Sequence, residues 1–195
     1  MIVLGIDPGT LNMGYGVVAA TDIEPSLIAC GVLTTKPRTP ISERLRLLYQ
    51  GLEEIIERYG PDEVAVEEPF MAENARSALS IGRAQAVAIL AAANHGLPVF
   101  QYTPLLVKQM ITDYGRASKE QIQEMVRLQL RLNDTPHPSD AADALAVALC
   151  HLRQQHLTRL LSQADKEVPC RGESGTHPAL TPSLSHRRGS KRGLR

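Results

Sequence analysis

The sequence predicts an α/β protein built on a mixed five-stranded sheet flanked by helices. Three observations carry this. Strand-like runs follow one another through the first 34 residues with short links, helical periodicity then alternates with two more short apolar runs, and helical segments fill the chain to about residue 156. Short links favour an antiparallel meander for the first three strands. A strand reached through a helix is most simply parallel to its predecessor, by a right-handed crossover. The sheet should therefore be antiparallel on one side and parallel on the other.

Ile2-Val3-Leu4-Gly5-Ile6 reads as a buried central strand that stops on Asp7 and a Pro8-Gly9 turn. Gly14 to Ala20 is the second strand and Ser26 to Thr34 the third. Ile41 to Tyr59 takes up the helical period, with Leu45, Leu48, Leu52, Ile55 and Ile56 on one stripe, and Pro61-Asp62 ends it. Glu63 to Glu67 is a short strand. Asn74 to Asn94 is an alanine-rich helix stopped by His95-Gly96 and Pro98, and Val99 to Tyr102 is the fifth strand. Thr103-Pro104 opens a helix to about Thr112. Ser118, with Gln121 three residues on, forms a capping box for the next. After Pro136-His137-Pro138, Ser139 should cap a last helix, from Asp140 to about His156.

With 195 residues, 43% hydrophobic and 22% charged, the chain fits one domain, residues 1–156, followed by a basic tail, residues 157–195. Beyond Asp165 the tail has hardly any apolar residues and reads as disordered. No apolar run approaches the roughly 18–20 residues of a membrane span, and the N-terminus has no secretion signal. Cys30, Cys150 and Cys170 are odd in number and widely spaced, which suits a reducing compartment, so the expected location is cytoplasmic. Residues 1–152 carry a formal balance of −6 and residues 153–195 one of +6. A basic tail on an acidic body suits a polyanion, although a solvated tail gives the same count.

In a parallel sheet the site lies beyond the carboxyl ends of the strands. Asp7 closes one strand and Glu67 another, and neighbouring strand tips lie about 5 Å apart. Asp140 and Asp143, spaced i and i+3, share one face of the last helix. Singly, each acid has an inert reading. Asp-Pro-Gly turns are common, Asp140 complements a helix dipole, and Glu68 rivals Glu67 from the opposite face of the strand. Together, four converging carboxylates repel one another unless a cation joins them. Mg²⁺ prefers oxygen ligands, and two such ions roughly 3.5–4 Å apart suit phosphodiester hydrolysis by activated water.

The motifs carry a resemblance over approximately residues 1–150. Gly5-Ile6-Asp7-Pro8-Gly9-Thr10, the run Ala65-Val66-Glu67-Glu68-Pro69-Phe70-Met71-Ala72-Glu73-Asn74, and Asp140-Ala141-Ala142-Asp143-Ala144-Leu145-Ala146 resemble the three motifs of the RuvC family of Holliday-junction endonucleases. The resemblance implies a ribonuclease H-like fold, with Asp7, Glu67, Asp140 and Asp143 as catalytic metal ligands for Mg²⁺, two ions per site, with Mn²⁺ as a substitute. It settles Glu67 over Glu68. It implies DNA contacts by Phe70, through stacking on a base, and by Lys108 and Lys119, with Arg76 and Arg116 as further candidates. Each also has a reading as a core loop residue or solvated surface. His137 could assist a proton transfer or be a loop residue only.

The implied function is resolution of four-way DNA junctions by paired nicks, in recombination and repair, by a homodimer working with a RuvA–RuvB branch-migration complex and no membrane. A YqgF-like RNA-processing nuclease and a non-catalytic junction-binding protein are the alternatives. Asp113, where relatives carry glycine, adds an acid to a loop expected to face phosphate. Ala86, Glu68 and Pro69 are other departures from the family pattern.

Overall fold

β1 (Ile2–Asp7) is the central strand because both of its faces are apolar, and four consecutive residues, Val3 to Ile6, are buried. The computed structural model describes residues 1–21, 24–68 and 75–167. Around β1 the sheet runs β3-β2-β1-β4-β5, with β2 (Asn12–Thr21), β3 (Glu24–Thr34), β4 (Glu63–Glu67) and β5 (Val99–Tyr102). β2 is antiparallel to both β1 and β3, whereas β4 is parallel to both β1 and β5. The expected mixed sheet is the observed one.

Alternation along the strands divides the interior in two. Leu4, Ile6, Met13, Val17, Val64 and Val66 face α1 (Ile41–Tyr59) and α2 (Ala75–Asn94), meeting Leu48, Leu52, Ala84 and Ala88. Val3, Val18 and Ala65 face the other way, toward α3 (Pro104–Thr112), α4 (Lys119–Gln129) and α5 (Ser139–Glu167). The second layer holds a polar bridge. His151 of α5 is fully buried, its Nδ1 2.7 Å from the Tyr102 hydroxyl and its Nε2 2.5 Å from Glu63 Oε2. Burial lowers the pKa of its ring, opposed by the Glu63 contact.

Two expectations change at α5. The helix does not stop near His156 but continues to Glu167, since the sequence between them contains neither glycine nor proline. Leu157, Leu160 and Leu161 lie exposed on the extra turns. Ser139 is the first residue of the helix rather than its cap, and the Ala141 N–H bonds the Pro138 carbonyl at 3.0 Å. Among the described residues no helix is long and apolar enough to cross a membrane.

Candidate active site

The parallel pairing of β1 with β4 sets Ile6 opposite Val66, so Asp7 and Glu67 emerge side by side at one pole of the sheet. α5 starts at the same pole and runs across β1 and β2 toward the other. Its close approach depends on missing side chains. A Cβ on Gly14 would lie 2.0 Å from the Asp140 carbonyl oxygen, and one on Gly5 would lie 2.2 Å from that of Ala144. Neither distance is compatible with a methyl group. The glycines therefore let the first turn of α5 reach the strand tips.

Two of the four acids, Asp7 and Glu67, sense the charges of the others there. Burial, followed by the charges of Asp143 and Asp140, raises the Asp7 pKa from 3.8 to about 6. Burial, followed by the charge of Asp7, raises that of Glu67 from 4.5 to about 8. The nearness of the two carboxyls lowers the value of Asp7 and raises that of Glu67, which favours a shared proton on Glu67. Asp143 is engaged differently, by Lys119 Nζ at 2.7 Å. Lys119 opens α4, whose start is fixed by the expected capping box between Ser118 and Gln121. Hydrogen bonding to Asp143 raises the pKa of the Lys119 ammonium, opposed by burial.

The donor set fits a hard cation: four carboxylates from three segments, two of them costly to ionise without positive charge nearby. Among the described residues, however, no three His, Cys, Asp or Glu side chains are gathered tightly enough to hold one ion. Asp7 stands beside Glu67 and Asp143 pairs with Lys119, while the Asp140 charge acts on both Asp7 and Lys119. A cation at this pole would replace the proton of the first pair and compete with the ammonium of the second.

Lys108 lies close enough to Glu67 to favour its charged form. Arg116 is exposed, as is His137. Phe70 and the side chain of Arg76 lie outside the described residues. Asp113 departs from its expected place. It ends α3 in the left-handed region, at φ 57°, and borders a groove of about 820 Å³ with Met1, Ala20 and Arg153, at the far pole from Asp7. Sequence reasoning missed Gly5 and Gly14. Their signal was available, since glycine inside a strand often marks a close backbone approach.

A family model described as crossover junction endodeoxyribonuclease RuvC matches residues 3–151. A crossover junction endodeoxyribonuclease RuvC of Dehalococcoides mccartyi is 56% identical over 165 residues, 85% of this chain and 99% of that protein. One of Roseiflexus is 49% identical over 160 residues, 82% of this chain and 95% of that protein. Among solved structures, Thermus thermophilus RuvC in complex with a Holliday junction substrate is similar with a TM-score of 0.77 and 38% identity, covering 81% of this chain and 96% of that one. The yeast mitochondrial Holliday junction resolvase Ydc2 shares the fold alone, at a TM-score of 0.62 and 16% identity over 85% of each chain.

Proposed function

This chain belongs to the RuvC family of crossover junction endodeoxyribonucleases, and we propose that it resolves four-way DNA junctions by paired, metal-assisted hydrolysis of phosphodiester bonds. The observation that carries the proposal is the meeting of Asp7, Glu67, Asp140 and Asp143 at one pole, with two of them raised in pKa by burial and mutual repulsion. These four are the proposed ligands, and Mg²⁺ is the proposed metal, two ions per site, with Mn²⁺ able to substitute. Divalent cations bound there supply an activated water and neutralise charge developing on the phosphate.

The chain's own contributions follow from its geometry. Asp7 and Glu67 would hold the cation, and burial favours a proton on Glu67 that such a cation would displace. The Lys119 ammonium orients the Asp143 carboxylate and stands at the edge of the site, ready to meet a phosphate oxygen. Lys108 adds positive potential beside Glu67. Phe70, Arg76 and Arg116 are the remaining proposed contacts, by stacking on an unpaired base and by pairing with phosphates.

A junction has two strands to cut, so the proposal includes a homodimer. Supporting it, Leu79, Ala86, Leu90 and Ala93 are exposed along one stripe of α2, interrupted by Arg83. Cooperation with a RuvA–RuvB complex is part of the same reading, and co-sedimentation on junction DNA tests it. The RNA-processing and non-catalytic alternatives have no observation in their favour.

The deciding assay incubates the purified protein with synthetic junctions and Mg²⁺, beside linear duplex and RNA. Symmetric nicks in the junction, abolished by Asp7→Asn, are expected. Absence of junction cleavage by the wild type, or full cleavage by Asp7→Asn, would overturn the proposal.

A further inference from the structure

A second polar cluster lies at the same pole, on the opposite face of the sheet from α5. Arg44, in the first turns of α1, sets Nη1 3.4 Å from Thr10 Oγ1. Thr10 Oγ1 lies 2.7 Å from Ser80 Oγ of α2, and its backbone carbonyl accepts a 2.7 Å hydrogen bond from Thr35 Oγ1. Thr10 and Thr35 are both buried, and Thr10 closes the turn that begins at Asp7.

Among the described residues no carboxylate pairs with Arg44, whereas Arg46, Arg127 and Arg131 each pair with a glutamate. What sets Arg44 apart among those residues is its Nε, buried without any hydrogen-bond partner. Its Nη1 contact to Thr10 is long for a hydrogen bond. A half-buried guanidinium with idle donors and no counter-charge is costly unless an anion completes it.

We propose that Arg44, together with the Ser80 hydroxyl, binds a backbone phosphate of the cut DNA strand on the α1/α2 side of the four acids. The inference rests on the junction-nuclease reading above. Lys119 flanks the acids on the α4/α5 side, so a strand drawn over the tips of β1 and β4 has a cation on each flank. A guanidinium can only donate, so Thr10 Oγ1 accepts from Arg44 and passes its own proton to Ser80 Oγ. The Ser80 hydroxyl is then left to donate outward. The guanidinium fork supplies paired donors for phosphate oxygens.

The test measures junction binding against salt concentration, without added divalent ions and in an Asp7→Asn background so that no strand is cut. Adding Arg44→Gln is expected to make the plot of log K against log salt shallower by one phosphate's worth, about 0.9. Arg44→Lys should keep the slope. Ser80→Ala should weaken binding about tenfold without changing it. Thermal melting with and without Mg²⁺, on Arg44→Gln with Asp7 intact, reads the turn itself and should match the wild type. An unchanged slope in Arg44→Gln overturns the proposal. If melting also loses its Mg²⁺ response, Arg44 is only a clamp on the Asp7 turn. Failure of the Asp7→Asn parent to bind junctions at all would count against the nuclease reading instead.

Discussion

At the scale of single residues, the site's chemistry is an electrostatic conflict held in place by the sheet. Asp7 and Glu67 have ordinary values of 3.8 and 4.5 but titrate near 6 and 8 in the fold. An unfolded chain therefore loses these protons first as the pH rises. Their contribution to stability is complete below about pH 4 and is lost as the pH climbs through 6 and 8. In chelator, the melting temperature should fall between pH 5 and pH 8. Mg²⁺ or Asp7→Asn should flatten that fall, as read by calorimetry; a chelated protein with no such fall would contradict the proposed charge conflict. Asp113 is a separate conflict, of backbone rather than charge. Its φ of 57° suits glycine. Asp113→Gly should stabilise the protein by up to about 1 kcal/mol, with junction affinity little changed, because the residue borders the far-pole groove.

At the scale of elements, the decisive contact is α5 against β1 and β2. Gly14 has no room for a methyl group beside the Asp140 carbonyl. Gly14→Ala should cost roughly 1–3 kcal/mol through overpacking. More tellingly, it should lift Asp140 and Asp143 away from the strand tips. Displacement of about 1 Å at a reacting centre can cost on the order of 100-fold. Cleavage should therefore fall about that much in a protein that still melts cooperatively. Equal activity in a correctly folded Gly14→Ala would show that the approach of α5 is not what assembles the site. The His151 bridge ties the same helix to Tyr102 of β5, beside Glu67, and to Glu63 at the other end of β4, so α5 is anchored along its buried length.

For the whole molecule, the exposed α2 stripe is one apolar surface among the described residues that is free for a partner. The basic composition of the chain's end is a second feature to test. Leu79 and Leu90 are each more than half exposed, an unusual cost for a long helix with no other role for that face. Leu79→Glu with Leu90→Glu should give a monomer in sedimentation, and that monomer should nick junctions without the paired timing of a dimer. A double variant that still sediments as a dimer would remove α2 as the interface. Residues 153–195 carry a formal balance of +6, against −6 for the rest of the chain. Truncation after about residue 160, past the buried part of α5, should make the salt dependence of junction binding shallower.

Local pattern was enough to read much of this. The Pro61-Asp62 break set off the Glu63–Glu67 strand, the capping box placed the start of α4, and the ends of two strands brought Asp7 and Glu67 to one edge, the resemblance choosing Glu67 over Glu68. These features depend on neighbours in sequence, so the sequence by itself determined the order of strands and helices in the mixed sheet, and the resemblance pointed to the four acids proposed as ligands. The length of α5 was misjudged because a helix without breakers gives no local signal of where it stops. The Lys119–Asp143 pair, the displacement of Asp113 and the buried Arg44 Nε, without a partner among the described residues, were decided only in the tertiary structure. Each depends on distances between segments far apart in the chain. A lysine's sequence context does not reveal whether its ammonium will meet a phosphate or a carboxylate. Gly14 shows the boundary most clearly: its identity was on the page, but its purpose existed only once α5 lay across it.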